Sequence, residues 1–461
     1  MKFINILLDL HKLRKNTRKT KVQIKTIQEK ELRKLLVYAY DNSKYYKRVF
    51  TQANITRENI NSLPLSKFPT IDKVKFMENY DELITVNDFK QEDLRRFDIE
   101  ESIEQKIFRG KYHVVHSSGS TGNPVYFVYD DSAWNRMLLG IIRAAFWNMS
   151  FFEIMKFLVG KPRIVYIAAT DGRYGGAMAV SDGIEGVRAN QLFLDINEPL
   201  SKWLKQIKEF QPNMIIGYPS AIKILGELVE RGDIKLDVMR VISCGEPLGA
   251  NMRHYLENIF QAEVINIYGA SESLSLGVEA NLEEGMNLFD DMNVIEMIEG
   301  NMYLTSLYNF TQPIIRYKLS DQFIHREADY GSKYPFSKAE GLIGRDEDLL
   351  WFEDEKGNCD FLHPLAIEGI CISGLKDYQF RQIDSFTFEM LAEISDKKMG
   401  KDIHSKILKQ MKEILRDKGL NYIQFFVRFV DEIRPDPKTG KKQLIISASD
   451  LDIRKKREES I

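Results

Sequence analysis

The spacing of apolar positions changes several times along the chain, and each change predicts a different architecture. In the first ~100 residues the period is helical, with Leu35, Leu36 and Val37 leading into Tyr38, Ala39, Tyr40, Tyr45 and Tyr46. His113–His116 and Val125–Tyr129 read as strands. From Asp131 to Asn148, Trp134, Leu138, Ile141 and Ala145 share a helical face behind a capping Asp or Ser. Strand and helix then alternate: Asn213–Ile216, a helix from Ser220 to about Arg231, Met239–Ser243, a helix near Asn251 to Phe260, and Glu263–Ile267. That alternation predicts βαβ units in a parallel sheet. From about Met302 to Asp329 the pattern becomes strands with turns, an antiparallel β subdomain. Beyond Gly344, strands near Tyr378–Gln382 and Phe386–Ile394, a helix Ile403–Asp417 and a strand Gln424–Val430 describe a small α+β domain. Gly341, Gly344 and the run Arg345-Asp346-Glu347-Asp348 mark the junction, so the expected domains are 1–343 and 344–461. The charged tail from Arg454 to Glu459 is expected to fray.

Polar residues punctuate the alternating region just past the carboxyl end of each strand: Gly217-Tyr218-Pro219-Ser220, Gly245-Glu246-Pro247, and Tyr268-Gly269-Ala270-Ser271-Glu272. Open α/β sheets bind ligands at that edge. Three separate segments therefore point to one crevice. Between the two earlier strands lies Ser117-Ser118-Gly119-Ser120-Thr121-Gly122-Asn123-Pro124. Its glycines let the backbone approach a ligand with N–H groups turned inward, and its hydroxyls rotate to suit several oxygens. A polyphosphate needs such a lining. A solvated Ser/Gly loop is the competing account of the string alone. The run joins strand to strand and lacks Gly-Lys-Ser/Thr, which excludes a Walker-type loop.

Composition narrows the class. With 461 residues, 44% hydrophobic and 29% charged, the chain reads as an ordinary soluble globular protein of more than one domain. A formal charge of −2 gives no reason to expect nucleic acid. Three cysteines, Cys244, Cys359 and Cys371, in so long a chain argue against a disulfide framework and fit a reducing cytoplasm. No apolar run spans a bilayer, and Asp9 breaks the amino-terminal stretch too soon for a signal peptide. Lys12, Arg14, Lys15, Arg18, Lys19, Lys21 and Lys25 form a basic stretch, read as a solvated helical face ahead of attachment to an anionic membrane or polymer. Cys359, His363 and Cys371 match no zinc spacing, and Ser117 or Ser120 has no nucleophile-elbow context.

In order and spacing the chain resembles the adenylate-forming superfamily of acyl-CoA synthetases, peptide-synthetase adenylation domains and luciferases. The likeness is to the phenylacetate–coenzyme A ligase branch, including relatives in capsule-polysaccharide clusters. It rests on Ser117 to Pro124, Gly245-Glu246-Pro247, Tyr268 to Glu272, Arg316-Tyr317 with Asp321, Gly344-Arg345, and Pro437-Lys438-Thr439-Gly440-Lys441. Val125 stands where many acyl-CoA synthetases have Lys after the loop, which favours this branch. The resemblance implies ATP, with Ser117, Ser118, Gly119, Ser120, Thr121 and Gly122 on its β- and γ-phosphates. It implies Mg²⁺ on Glu272; Gly245, Glu246 and Pro247 along the adenine with Tyr268 against its face; Gly269, Ala270 and Ser271 beside it. Asp321 would take the ribose hydroxyls and Arg345 ribose or phosphate. Tyr218, Pro219 and Ser220 are candidates for the acid pocket, and Tyr126 and Phe127 for contributions to it.

Catalysis would fall to Lys441, Thr121 and Glu272, since an ammonium stabilises charge building on the α-phosphate oxygens. Lys442 is adjacent and competes for the role. Each residue also has a plainer account: a core aromatic for Tyr268, a surface carboxylate for Glu272, a turn residue for Asp321 or Lys441, a salt bridge for Arg345. The implied reaction joins a small-molecule carboxylic acid, by default aryl or arylacetic, to AMP and then to coenzyme A. An amine, sugar or carrier-protein acceptor is the alternative, and a non-catalytic nucleotide-binding protein is the reading from another class. The resemblance further implies a homodimer and a mobile small domain. Two departures stand out: Glu347 where the hinge residue is usually Asp, and Ser320 before Asp321 where relatives often have Gly.

Overall fold

The computed structural model describes residues 3–100, 107–116, 125–168, 178–182, 189–246, 248–298, 301–319, 322–325, 333–343, 350–353, 359–362, 364–367, 370, 372, 374–433 and 444–446. The chain opens with helices Phe3–Lys15, Lys21–Asn42, Lys44–Gln52, Lys73–Glu78, Tyr80–Leu83 and Gln91–Glu100. Local chemistry sets their limits. Thr20 and Gln23 form a capping box ahead of Lys21–Asn42, and Ser43 ends that helix and caps the next. The buried residues Ile24, Gln28, Leu32, Leu35, Leu36 and Ala39 make one stripe at helical spacing.

Strands follow in chain order: β1 Ile107–Phe108, β2 Tyr112–His116, β3 Tyr126–Asp130, β4 Arg163–Ala168, β5 Asn190–Asp195, β6 Met214–Gly217, β7 Arg240–Cys244 and β8 Glu263–Ala270. After them come β9 Ser273–Glu279, β10 Met286–Leu288, β11 Asn293–Ile298, β12 Asn301–Ser306, β13 Tyr317–Lys318, β14 Gln322–His325 and β15 Lys338–Ile343. The last six are β16 Leu350–Glu353, β17 Cys359–Leu362, β18 Leu375–Gln382, β19 Thr387–Ile394, β20 Gln424–Val430 and β21 Ile445–Ile446. The main sheet has the order β14-β15-β10-β9-β8-β7-β6-β4-β5. β5, β4, β6, β7 and β8 are parallel, and the strands beyond β8 are antiparallel. The fold is therefore α/β, with the expected βαβ units between β6 and β8. Helix Pro219–Glu230 joins β6 to β7, and helix Ala250–Phe260 joins β7 to β8. β11, β12 and β13 form a separate antiparallel sheet, the expected β subdomain beginning nine residues earlier than the sequence pattern placed it.

One strand end differs from expectation. β8 runs past Ile267 to Ala270 because β9 folds back on it, pairing Tyr268 with Gly277 and Ala270 with Ser273. Tyr268, Gly269 and Ala270 are thus strand residues, and only Ser271 and Glu272 make the turn. Gly269 sits at the irregular point of the pairing, where a Cβ would lie 2.4 Å from the Leu274 carbonyl oxygen.

Three apolar cores hold these layers. The first packs β4, β6, β7 and β8 between helices, with Trp203, Ile215, Val241 and Ile265 at its centre. The second joins the amino-terminal helices to β2, β3 and β12 through Phe50, Phe76, Phe127 and Leu304. Tyr126 and Phe127 are buried in this core, Phe127 against the rings of Phe76 and Tyr317. The third gathers Phe352, Phe380, Phe388, Met390, Ile403 and Ile407 beyond residue 350, around β19 and helix Gly400–Lys418. Lys418 ends that helix, buried, with its Nζ 2.9 Å from the Ile196 carbonyl and 3.3 Å from Asp360. The same ammonium donates to the Glu198 carbonyl and lies over the Trp203 ring.

Candidate functional site

The chain passes from β4 to β5 on one side and then crosses to β6 on the other, so strand order reverses between β4 and β6. Open α/β sheets form their ligand crevice at the carboxyl ends flanking such a point. Here the two strands approach closely: a Cβ on Gly217 would lie 2.2 Å from the Ile167 carbonyl oxygen, which accepts from Tyr218 N–H at 3.1 Å. Tyr218 then precedes helix Pro219–Glu230, with Pro219 at the first position where no N–H is needed.

Across the edge, Gly245 follows β7 with φ of +83°, and a Cβ there would meet Tyr218 Cε1 at 2.4 Å. The tyrosine ring lies directly on the glycine backbone, a contact no side chain permits. Glu246 reaches back to the helix. Its carboxylate accepts from Ser220 N–H at 3.2 Å and from Ser220 Oγ–H at 2.9 Å. A carboxylate is well placed at a helix amino terminus, where unpaired N–H groups gather. The structure thus brings Tyr218, Pro219, Ser220, Gly245 and Glu246 into one wall. Burial, reinforced by Glu246, pushes the neighbouring Cys244 thiol up to about 12, so it stays protonated at neutral pH.

The second wall is the Ser271–Glu272 turn. Tyr129 Oη donates to the Ser271 carbonyl at 2.6 Å, and Ser271 Oγ reaches the His116 carbonyl at 3.5 Å. β2 and β3 pair antiparallel up to His116 and Tyr126, the residues at the root of the 117–124 run. The turn is therefore fastened to the hairpin that carries that run. Tyr317 is hydrogen-bonded to Glu272, and its phenol is held far above its ordinary value by burial first and by the Glu272 and Asp72 charges next. Tyr268 is buried in the second core.

A cation belongs to this wall that the pattern did not single out. Lys73 is half-buried; burial lowers its pKa, and the charge of Glu272 opposes that shift. It arrives there because Ile71 pairs with Tyr317, with Lys318 N–H donating to the Ile71 carbonyl at 2.8 Å. Asp72 then caps helix Lys73–Glu78. The signal in sequence is only that short cap. Arg316, by contrast, is held by Glu296 at 2.9 Å and by the carbonyls of Ser66 and Phe68, a structural role.

Ser117, Ser118, Gly119, Ser120, Thr121, Gly122, Pro247, Asp321, Arg345 and Lys441 lie outside the described residues, as do Lys442 and Glu347. Among the described residues no cluster of His, Cys, Asp and Glu could hold a metal ion by itself, and no helix is long and apolar enough to cross a membrane.

No protein-family profile matches the chain. It is 22% identical to Protein CapK of Staphylococcus aureus over 440 residues, covering 91% of this chain and 88% of that protein. It is 26% identical to phenylacetate–coenzyme A ligase of Escherichia coli K12 over 353 residues, 71% of this chain and 72% of the relative. In fold it is similar to 2-hydroxyisobutyryl-CoA ligase in complex with 2-HIB-AMP and CoA in the thioesterification state. That match has a TM-score of 0.61 at 17% identity, over 97% of this chain and 94% of the other. The post-adenylation state of the same ligase with 2-HIB-AMP matches with a TM-score of 0.54 at 16% identity, over the same shares. Residue order, sheet topology and relatives agree: the chain is similar in sequence to phenylacetate–coenzyme A ligases and to Protein CapK, and it shares the fold of 2-hydroxyisobutyryl-CoA ligase.

Proposed function

We propose that this protein is an AMP-forming acid–thiol ligase that activates an aryl or arylacetic acid. In the first step a carboxylate oxygen attacks the α-phosphorus of ATP; the acyl-adenylate forms and pyrophosphate leaves. In the second, the sulfur of coenzyme A attacks the acyl carbon, AMP leaves, and the thiol proton passes to solvent. The observation that carries this reading is the anchoring of the Ser271–Glu272 turn to the β2–β3 hairpin through Tyr129 and His116. It ties a carboxylate to the root of a hydroxyl-rich run that suits phosphates. The named activities of the relatives, and the acyl-AMP and CoA of the matched ligase, support the two half-reactions.

Each residue has a task in this scheme. Ser117 to Gly122 hold the β- and γ-phosphates, Thr121 among them, and the Gly245–Pro247 backbone with Tyr268 lines the adenine. Asp321 accepts from the ribose, and Arg345 supports ribose or phosphate. Tyr218, Pro219 and Ser220 face the acid, with Tyr218 fixed by its contact on Gly245. Glu272 suits Mg²⁺, a hard ion that takes carboxylate oxygens and usually bridges to phosphate. That ion would neutralise charge on the phosphates. Lys441, carried by residues 344–461 as a lid over 1–343, stabilises the charge that builds at the α-phosphate. A homodimer working in the cytoplasm completes the proposal.

Acid-dependent exchange of pyrophosphate into ATP, run over a panel of carboxylic acids and repeated with coenzyme A for AMP release, tests it. Aryl or arylacetic acids should stimulate exchange, and Lys441→Ala should abolish it while leaving the melting curve unchanged. Absence of exchange with every acid sinks the enzymatic reading. Undiminished exchange in the variant moves the catalytic role to Lys442.

A further inference from the structure

We infer that the amino-terminal helix and the helix Phe151–Val159 together form a docking surface for an anionic lipid bilayer. Large apolar side chains stand in solvent here: Phe152 is 77% exposed, Val159 75%, and Phe151 and Leu8 56% each. Scattered exposed apolar residues are ordinary; a contiguous cluster is what needs an occupant. These residues fall on matching faces. Leu8, His11, Lys12 and Lys15 recur at i, i+3, i+4 and i+7 on the first helix, and Phe152, Lys156 and Val159 recur at i, i+4 and i+7 on the other.

The two faces are joined. Arg14 donates to the carbonyls of Phe146 and Met149, in the turn leading into the second helix. The His11 and Phe151 rings meet edge-on at 6.1 Å. Leu10 and Leu13, on the opposite side of the first helix, are buried in the core, so its orientation is fixed. Ile154 and Phe157 fix the second helix in the same way.

Charge decides which occupant fits. Lys12 and Lys15 on the first helix, Lys156 on the second and Lys161 just beyond it are all exposed. Within the two helices themselves the carboxylates are Asp9, paired with Lys12 at 2.8 Å, and Glu153, bound to the Ser150 N–H as a cap. Phenylalanine and leucine amid lysines is the composition of an interfacial helix, in which apolar side chains enter the headgroup boundary and ammonium groups meet lipid phosphates. A second copy of this chain would bring lysines against lysines across a two-fold contact.

The surface lies away from the proposed active site. The adjoining turn is fastened to the amino-terminal ends of the parallel strands: Arg240, which opens β7, donates to the Ala145 carbonyl at 2.9 Å, and Asn148 donates to Glu263, which opens β8, at 2.6 Å. The candidate site occupies the carboxyl ends, roughly 16 Å along the strands. Docking would leave the crevice facing water, so acid activation and lipid binding can be measured separately.

Co-sedimentation of the full chain with phosphatidylcholine vesicles, made with or without phosphatidylglycerol, tests the inference. The protein should pellet with the phosphatidylglycerol vesicles and be released by salt. Phe151→Ser with Phe152→Ser, and separately Lys12→Ala with Lys15→Ala, should each lower partitioning at least about tenfold. Pyrophosphate exchange and the melting curve should stay as in the parent. If the aromatic variant melts early, the lysine variant decides. Failure to pellet with anionic vesicles overturns the inference, as does equal pelleting of parent and variants. A dimer in light scattering that the variants dissociate, with no lipid binding, reassigns the surface to self-association. None of these results bears on acid activation, which the exchange assay reads independently.

Discussion

Tyr218 can rest against the carboxyl edge of the sheet because residue 245 has no side chain. Gly245→Ala would add a Cβ 2.4 Å from the ring at a backbone angle of +83°, so both the tyrosine and the turn must shift. The variant should lose about 1–2 kcal/mol of stability in denaturant titrations. Its KM for the acid should rise more than its KM for ATP, since Tyr218 lies on the acid side of the proposed site. A KM change confined to ATP would remove Tyr218 from the acid pocket. At the other wall, Lys73→Ala should reduce pyrophosphate exchange roughly tenfold to a hundredfold, mainly through the KM for Mg-ATP. An unchanged KM for Mg-ATP would assign Lys73 to packing. The two walls differ in how far sequence reveals them. Tyr218, Ser220, Gly245 and Glu246 each follow a recognisable strand, so a shared sheet edge predicts their meeting. Lys73 reaches Glu272 through the pairing of Ile71 with Tyr317, which no local pattern encodes.

Elements are tied together by a few buried polar groups whose energetics can be read directly. Helix Asp131–Ala145 carries Arg143, paired with Asp291 at 2.7 and 3.0 Å, and Asn16 donates to the same carboxylate at 2.8 Å. Burial alone would raise the Asp291 pKa, but the charge and hydrogen bonds of Arg143 and the bond from Asn16 outweigh it and hold the value low. The sign follows. A depressed carboxylate contributes stability that is present above its unfolded pKa and lost as pH falls through the folded one. Acid titration of the melting temperature should show that loss, and Asp291→Asn should flatten it. Arg143→Met leaves a buried carboxylate unpaired and should cost about 3–5 kcal/mol; a cost below 1 kcal/mol would mean that Asn16 and solvent suffice.

Among the strands, β6, β7 and β8 were legible because buried apolar runs alternate with amphipathic helices. β4 and β5 were not singled out. β5 is an edge strand, half-exposed over its first four residues, with no clean alternation to mark it. The extension through β9, β10 and β15 was equally hidden. β10 pairs with a strand some fifty residues on, and pairing partners at that distance leave no trace in periodicity.

For the whole molecule, the third core and the main sheet meet at Lys418, Asp360 and the Ile196–Leu200 segment. Leu200 N–H donates to Asp360 at 3.3 Å, and Gly419, with φ of +82°, turns the chain beside Pro199. Lys418→Met should weaken this joint, exposing the 196–200 segment to faster limited proteolysis while the separate cores keep their melting behaviour. Unaltered cleavage would mean that apolar contacts alone hold the two parts together. The separate third core, which begins at Leu350, was foreshadowed by the change of pattern along that part of the chain. The joint was not, since a lysine at a helix end reads as a solvated last-turn residue until Ile196, Glu198 and Trp203 are seen around it.

That ammonium would make any separation of the two parts an all-or-nothing event. A purely greasy seam can slide by small increments, each costing little. Here the cation must exchange two carbonyls and a carboxylate for water before the parts can drift, and no halfway position satisfies it. If the small part swings during turnover, it should dwell in discrete stations, and the waiting time at this one should depend on how readily water reaches the space beneath Trp203.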